Sequence, residues 1–286
     1  GSEMCIRDSS RFNYIHYSAC SDAGLHRSEN EDSYACLEAD GCFLISDGMG
    51  GGSAGEIASQ IVEDMITESI AGSAADSPGL RKYEIQQAIH KANQKIQQYA
   101  AEHRFQQMGA TLAMLLFDSW NRANACLCHI GDSRIYRFRD GILSQLTSDH
   151  TIGNELSQKS DLSFNDHKTS VLSHVLTRAI GTASNVLPEW QKTELLSGDL
   201  FMICSDGVSS MLSNNELQEI FAEYHSLDSM LQKLTAQVKQ AGAKDNFTLI
   251  LCEIMKDMPD MERHSEKEWL ESNYLEKISE ERIDRG

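Results

Sequence analysis

Apolar residues occur in this chain in two kinds of run. The first kind is a nearly unbroken stretch of five to eight residues, found at Ser33–Glu38, Cys42–Ser46, Thr111–Phe117, Ala123–Ile130, Ile135–Arg139, Leu200–Cys204 and Phe247–Ile254. Short apolar runs bounded by turn residues predict strands. The second kind recurs every three to four positions, at Gly55–Ala71 (with Ile57, Ile61 and Met65 on one face), Tyr83–Glu102, Asn215–Tyr224 and Leu227–Ala241. That period predicts amphipathic helices. Asp40-Gly41 and Asp140-Gly141 each stand between two strand-like runs, where the pair suits a tight hairpin. Hairpin-paired strands with helices inserted between groups of them predict an α+β domain with antiparallel sheets, not a doubly wound parallel sheet.

Three stretches stand apart from this pattern. Residues 1–10 (GSEMCIRDSS) have no period and read as a tag remnant or sequence artefact. Residues 152–173 are polar and weakly periodic, which predicts a long surface segment of the kind that is often functional. Residues 256–286 carry ten acidic and six basic side chains, with Trp269, Leu270, Tyr274, Leu275 and Ile278 at helical spacing. They read as an acidic helical extension, either docked on the domain or a partner or fraying at its end. Only three prolines occur and no Pro-rich linker divides the chain, so residues 11–255 are expected to form one domain.

Composition narrows the function. With 286 residues, 41% of them hydrophobic, the chain can bury a large core. Its 43 acidic and 25 basic side chains give a formal net charge of −18. Nucleic acid and anionic lipid would be repelled by that balance, whereas metal cations would be attracted. The longest apolar stretches, such as Thr111–Phe117, fall far short of the ~20 residues that cross a bilayer, and no charged-then-apolar leader is visible. The eight cysteines include no CxxC pair and mostly sit inside apolar runs, where cysteine packs as a small hydrophobe. A reducing, cytoplasmic compartment is expected, with no membrane partner.

The chemistry lies at the ends of the strands. CFLIS runs into Asp47-Gly48, CLCHI into Gly131-Asp132, LFMICS into Asp206-Gly207, and Asp245 stands just before FTLILCEI. Any one Asp-Gly pair is an ordinary turn former, but Asp40-Gly41 and Asp140-Gly141 already supply the hairpins. Clustered buried carboxylates raise one another's pKa and are costly unless a cation joins them. Mg2+ and Mn2+ take carboxylate and water oxygens, and two such ions together can activate water and neutralise a phosphoryl group.

The sequences around these aspartates carry a resemblance. GLHRSENEDSY (24–34), ISDGMGGGSAGEIAS (45–59), MGATLAM (108–114), IGDSRIYRFRDGILSQLTSDHT (130–151), VLTRAIG (175–181), GDLFMICSDG (198–207) and AKDNFTLI (243–250) occur in this order. Together they resemble the metal-dependent serine/threonine protein phosphatases of type 2C, the PPM family, in its bacterial branch, over roughly residues 18–254. The resemblance implies a central β-sandwich of two mainly antiparallel sheets flanked by helices on both faces, with a dinuclear Mn2+ or Mg2+ site at one edge. On its motifs Asp47 would bridge two metals and Gly48 would offer its carbonyl to one of them. Asp206 and Asp245 would complete the first metal, Glu31 would hold a water on the metal, and Asp132 with Asp206 would bind a third, weaker ion. Arg27 falls at the phosphate-binding arginine, and Asn246 and Thr111 at positions that support ligand geometry. Catalysis would rest on Arg27, Asp47 and Asp206.

Duller readings stand beside these. Arg27 has three acidic neighbours, Glu29, Glu31 and Asp32, and could be an exposed arginine among them. Asp32 reads as a hydrogen-bond acceptor behind the ligands, Arg134 as structural, pairing inside the GDSR turn, and His150 as a structural residue rather than a proton carrier. Met49 stands where animal members carry a histidine proposed as general acid, which leaves protonation of the leaving oxygen to water or another group. Ala110 replaces a usual threonine, and residues 152–173 correspond to the family's variable flap.

Three functions compete. The first is metal-dependent hydrolysis of phosphoserine or phosphothreonine on proteins, acting as a monomer and opposing a bacterial serine/threonine kinase. The second is a silent, phosphoprotein-binding relative; such relatives generally lose metal aspartates, and this chain keeps them all. The third is a phosphatase of small phosphate esters, because metal-assisted attack on phosphorus does not depend on the alcohol.

Overall fold

The unbroken apolar runs are strands covered on both faces. The computed structural model describes residues 12–51, 53–73, 78–119, 121–159, 175–223 and 225–255. The expected tag at 1–10, the 256–286 extension and the greater part of the polar 152–173 segment lie outside them. Strands β1 (Ile15–Asp22), β2 (Asp32–Leu37), β3 (Cys42–Met49) and β4 (Gly109–Ala110), then β5 (Leu112–Phe117), β6 (Asn124–Ile130), β7 (Arg134–Arg139) and β8 (Ile142–Gln145), lead to β9 (Glu189–Glu194), β10 (Leu200–Cys204) and β11 (Phe247–Ile254). Helices α1 (Ser53–Ala71) and α2 (Pro78–His103) are inserted after β3, α3 (Ile152–Lys159) after β8, and α4 (Asp206–Ser209), α5 (Asn214–Ala222) and α6 (Leu227–Gln240) after β10.

One sheet runs β1-β11-β10-β7-β8 and the other β2-β3-β5-β6-β9, with β4 paired to β3. All the pairs are antiparallel. The period of two along each strand then builds three cores. On β3, Phe43 and Ile45 face the other sheet, while Cys42 and Leu44 face α1 and α2. On β10, Phe201 and Ile203 enter the space between the sheets, while Leu200, Met202 and Cys204 meet α5 and α6. The order of layers is helix, sheet, sheet, helix, which is the expected α+β sandwich. Phe43 meets Phe117 edge-on at 5.8 Å inside it, and replacing such a buried ring by alanine costs about 3–5 kcal/mol.

Several elements differ from expectation. β1 and β9 are additional strands, and both lie at sheet edges. β9 (EWQKTE) is largely exposed, and its charges blunt the edge against further pairing. Asp140-Gly141 forms the two-residue hairpin, with φ of 51° and 78°. Asp40-Gly41 does not: Glu38–Asp40 is a 3-10 turn closed by left-handed Gly41, so four residues join β2 to β3. The first part of the polar 152–173 segment is helix α3. Among the described residues no helix is long and apolar enough to cross a membrane.

Candidate functional site

The aspartates converge at one edge of the sandwich because the strand directions bring them there. Asp47 lies near the end of β3, Asp132 just past β6, Asp206 just past β10 and Asp245 just before β11. These four, with Arg27, Glu31 and Gly48, line a single cleft of about 850 Å³ that also reaches Met49, Thr111 and Asn246. Every residue singled out from the sequence as catalytic or metal-binding is therefore in one place.

Each is held by short polar contacts. The Asp47 N–H donates to the Thr111 hydroxyl at 2.9 Å and the Thr111 N–H to the Asp47 carbonyl at 2.8 Å. Thr111 in turn meets Ser133 Oγ at 2.7 Å, beside Asp132. Asn246 clamps the segment carrying Arg27 and Glu31: its Oδ1 accepts from the Glu31 N–H at 2.9 Å, and its Nδ2 donates to the carbonyls of Ala23 and Glu29. Asp32, paired with Asp47 across the β2–β3 ladder, accepts from Ser205 Oγ at 2.8 Å and Thr248 Oγ1 at 2.7 Å. It thereby ties the two sheets together behind the cleft. Sequence reasoning missed Ser133, Ser205 and Thr248, since a lone hydroxyl gives no signal until its partner elsewhere along the chain is known.

One bare helix face shapes the rest. A Cβ on Gly55, in the first turn of α1, would lie 2.0 Å from Glu31 Oε2 and 3.0 Å from the Gly48 carbonyl oxygen. Glycine there lets a carboxylate and a main-chain oxygen share one space. A Cβ on Gly48 would come 2.0 Å from the Gly55 carbonyl oxygen, a main-chain atom that cannot swing aside as the end of Glu31 can.

The electrostatics are those of a crowded carboxylate group. Burial pushes Asp47 well above the usual carboxylate range, reinforced by Asp32, Asp206, Asp132 and Asp245 around it. Asp132 is pushed up to about 7 by burial and then by Asp206. Asp32 also reaches about 7 through burial, although its two hydroxyl donors pull the other way. Arg27 is the only cationic side chain lining the cleft among the described residues, and its Nη2 donates to Asp245 Oδ2 at 2.8 Å. Both groups are nearly half exposed, so the pair adds little stability. The donor set is oxygen only, carries excess negative charge and includes a carbonyl oxygen in the Gly55 cradle. Hard divalent cations fit such a set.

Two residues resolve differently. Arg134 is structural, but its partners lie outside the GDSR turn: it grips Asp149 in a two-pronged contact at 2.7–3.0 Å and donates to the Tyr136 hydroxyl. His150 is buried and does not line the cleft. Its Nδ1 accepts from the Gly131 N–H at 3.1 Å, and its Nε2 meets Glu189 Oε1 at 3.0 Å. Burial and then stacked His129 lower its pKa, favouring the neutral ring. His129, His150 and Glu189 have ligand atoms within 4.8 Å of one another, a spacing that among the described residues no trio of cleft carboxylates matches. They form a hydrogen-bonded net rather than a cation site, because Nδ1 of His150 is already an acceptor and Arg178 donates to the same Glu189 oxygen at 3.0 Å.

Comparison with known proteins places this geometry. The model of the family described as Protein phosphatase 2C matches residues 24–252. This chain belongs to the protein phosphatase 2C family. It is 33% identical to a putative protein phosphatase 2C-type of Streptococcus pyogenes serotype M6 over 235 residues, covering 80% of this chain and 94% of the relative. It is 30% identical to the protein phosphatase PhpP of Streptococcus pneumoniae over 238 residues, covering 82% and 95%. Its fold is similar to the serine/threonine phosphatase of S. agalactiae, with a TM-score of 0.78, 29% identity and coverage of 84% and 100%. It is also similar to the catalytic domain of the serine/threonine protein phosphatase PstP in complex with two manganese ions, with a TM-score of 0.72, 29% identity and coverage of 84% and 98%. The relatives are bacterial serine/threonine phosphatases, the class expected from the sequence.

Against this background the two departures have a local account. Ala110 of this protein phosphatase 2C member is fully buried, with its backbone paired to Gly48 and to Ile180. The hydroxyl that holds Asp47 comes from its neighbour, Thr111. Met49 lines the cleft and carries no exchangeable proton.

Proposed function

We propose that this chain removes phosphate from phosphoserine and phosphothreonine in proteins by metal-dependent hydrolysis. The observation that carries this reading is the convergence of Asp47, Asp206 and Asp245, with Glu31, Gly48 and Asp132, on one cleft. In this reading Asp47, the Gly48 carbonyl, Asp206 and Asp245 hold two Mn2+ or Mg2+ ions, and Asp132 with Asp206 holds a third more weakly. When bound, such a pair supplies an activated water and neutralises phosphoryl charge. Glu31 orients a water at the cradle of Gly55. Arg27, with N–H groups beyond the one given to Asp245, makes a two-pronged contact with phosphate oxygens. The water oxygen ends in inorganic phosphate and the bond from phosphorus to the serine or threonine oxygen breaks. Met49 has no proton to give, so that oxygen takes its proton from water or another group. The manganese-bound relative and the named bacterial phosphatases support the assignment. The setting that fits is cytoplasmic bacterial signalling, in which a monomer opposes a serine/threonine kinase.

The test is phosphate release from a phosphothreonine peptide by metal-stripped protein, with Mn2+, with Mg2+ and with chelator, beside Asp206→Asn. Release that needs metal and is lost in the variant is the expected result. Folded protein that binds the peptide yet releases nothing under any metal would instead make the chain a binding module.

A further inference from the structure

The cleft has two ends of opposite character. Among the described residues, its charged lining side chains are Arg27, Glu31, Asp47, Asp132, Asp206 and Asp245, and every other lining residue is uncharged. The uncharged end is apolar in large part, with Ala100, Ala101, Phe105, Met49, Met108 and Val175. In a chain that is 24% charged residues, with a net charge of −18, a neutral wall continuous with the carboxylates is a distinctive feature.

This wall is built by an uncommon backbone. Arg104, just beyond α2, has φ of +60°, a left-handed conformation that costs a non-glycine residue about 1 kcal/mol or more. The turn sends the chain back on itself, and the Phe105 N–H closes it by donating to the Ala100 carbonyl at 2.9 Å. The Phe105 ring then lies near-parallel to Tyr99 and His103, at interplanar angles of 14° and 20°. Those rings fix it on one side, while it remains partly exposed and lines the cleft. A strained position kept by a residue with a bulky side chain, and spent on orienting one aromatic ring, points to a use for that ring.

The occupant follows from continuity. A phosphorylated residue seated at the carboxylate end is attached to a peptide on both sides, and each further residue advances the chain by about 3.5 Å. The peptide must therefore run along the walls of the same cleft. We propose that the wall formed by Ala100, Ala101 and Phe105 receives an uncharged, apolar side chain flanking the phosphorylated residue, and so selects substrates of that chemistry over those with lysine or glutamate there. This inference rests on the phosphoprotein phosphatase reading above and adds the kind of neighbouring residue the site selects.

The test uses phosphothreonine peptides that carry leucine, lysine or glutamate at each position within about four residues of the phosphothreonine. The full chain with Mn2+ is assayed, and each peptide kcat/KM is divided by the same variant's turnover of p-nitrophenyl phosphate. Leucine at one or more positions is expected to exceed lysine and glutamate by about tenfold, the discrimination an apolar pocket typically gives. Phe105→Ala should abolish that ratio, and Phe105→Leu should restore most of it. Ala101→Glu alters an exposed helical position, so folding is spared, and it should invert the order to favour lysine. Equal kcat/KM for the three series, or an order that Ala101→Glu leaves unchanged, overturns the inference while leaving the phosphatase reading intact. Should p-nitrophenyl phosphate and peptides both resist turnover, the phosphatase reading fails. Fluorescence anisotropy of the same labelled peptides then decides the wall separately: a leucine preference supports it and no preference overturns it.

Discussion

The two helix layers cover opposite faces of one sandwich, and their beginnings are built for different ends. Helices α5 and α6 open with reciprocal caps. Ser213 Oγ accepts from the Glu216 N–H while the Ser213 N–H donates to Glu216 Oε2 at 2.8 Å, and Ser226 and Ser229 do the same for α6. Both helices then bury Leu217, Phe221, Met230, Leu234 and Val238 against the sheet, and neither contributes to the cleft. The first turn of α1 is shaped around Glu31 and the Gly48 carbonyl by the missing Cβ of Gly55. The end of α2 leaves its helix through left-handed Arg104. Glycine in a helix and a left-handed arginine are each unfavourable locally. The layer beside the site thus accepts local cost to leave room for ligands and substrate, while the other layer uses optimised caps and supplies stability.

The largest effect that should separate the two is Asp206→Asn. Turnover should fall on the order of a thousandfold, equivalent to about 4 kcal/mol of transition-state stabilisation. Metal supplied at roughly a hundred times its Kd should raise the wild-type unfolding free energy by about 2.7 kcal/mol. Thermal unfolding with and without Mn2+ should show most of that gain missing in the variant. A full gain in Asp206→Asn would remove Asp206 from the metal set. Gly55→Ala comes next. Its Cβ meets the flexible end of Glu31, so the fold should survive while metal affinity or turnover drops about ten- to a hundredfold. Unfolding of Gly55→Ala in chelator, with no selective loss of metal response, would make the glycine a packing residue and erase the contrast between the layers.

How much of this was legible beforehand depends on the range of the interaction. β5, β10 and β11 could be read because burial on both faces makes their sequences continuously apolar. The four aspartates could be read because each interrupts or borders such a run. β9 could not, since an exposed edge strand made of EWQKTE has neither a run nor an alternation. Asp40-Gly41 misled because the dipeptide fits both a two-residue hairpin and the end of a 3-10 turn, and only the Leu37–Cys42 register decides between them. Arg134 was recognised as structural but given the wrong partner, Asp149 being fifteen residues away. The hydroxyls that hold Asp32 lie 173 and 216 residues from it, and no local pattern announces a contact at that range.

Arg27→Ala probes the one cationic side chain that lines the cleft among the described residues. Loss of a charged hydrogen bond to phosphate should raise KM for phosphopeptide about tenfold. Mn2+ affinity, measured by calorimetry on stripped protein, should not fall, because Asp245 loses its guanidinium partner and stays available to the metal. A matching fall in Mn2+ affinity would mean that Arg27 organises the ligands rather than the phosphate.

The smallest effect comes from the other layer. Ser213→Ala removes the oxygen that accepts from the Glu216 N–H and leaves that donor to water, which should cost about 1 kcal/mol of unfolding free energy. Turnover per folded molecule should be unchanged, because α5 contributes no residue to the cleft and meets the sandwich through its apolar face and through hydrogen bonds of Asn214 and Gln218 to Tyr136, Leu143 and Gly141, none of which lines the cleft. Denaturant unfolding read beside phosphate release checks both halves of the expectation. A turnover loss greater than the unfolded fraction accounts for would show that the capped layer also transmits strain to the β10 end that carries Asp206, and the separation of stability from function between the layers would be incomplete.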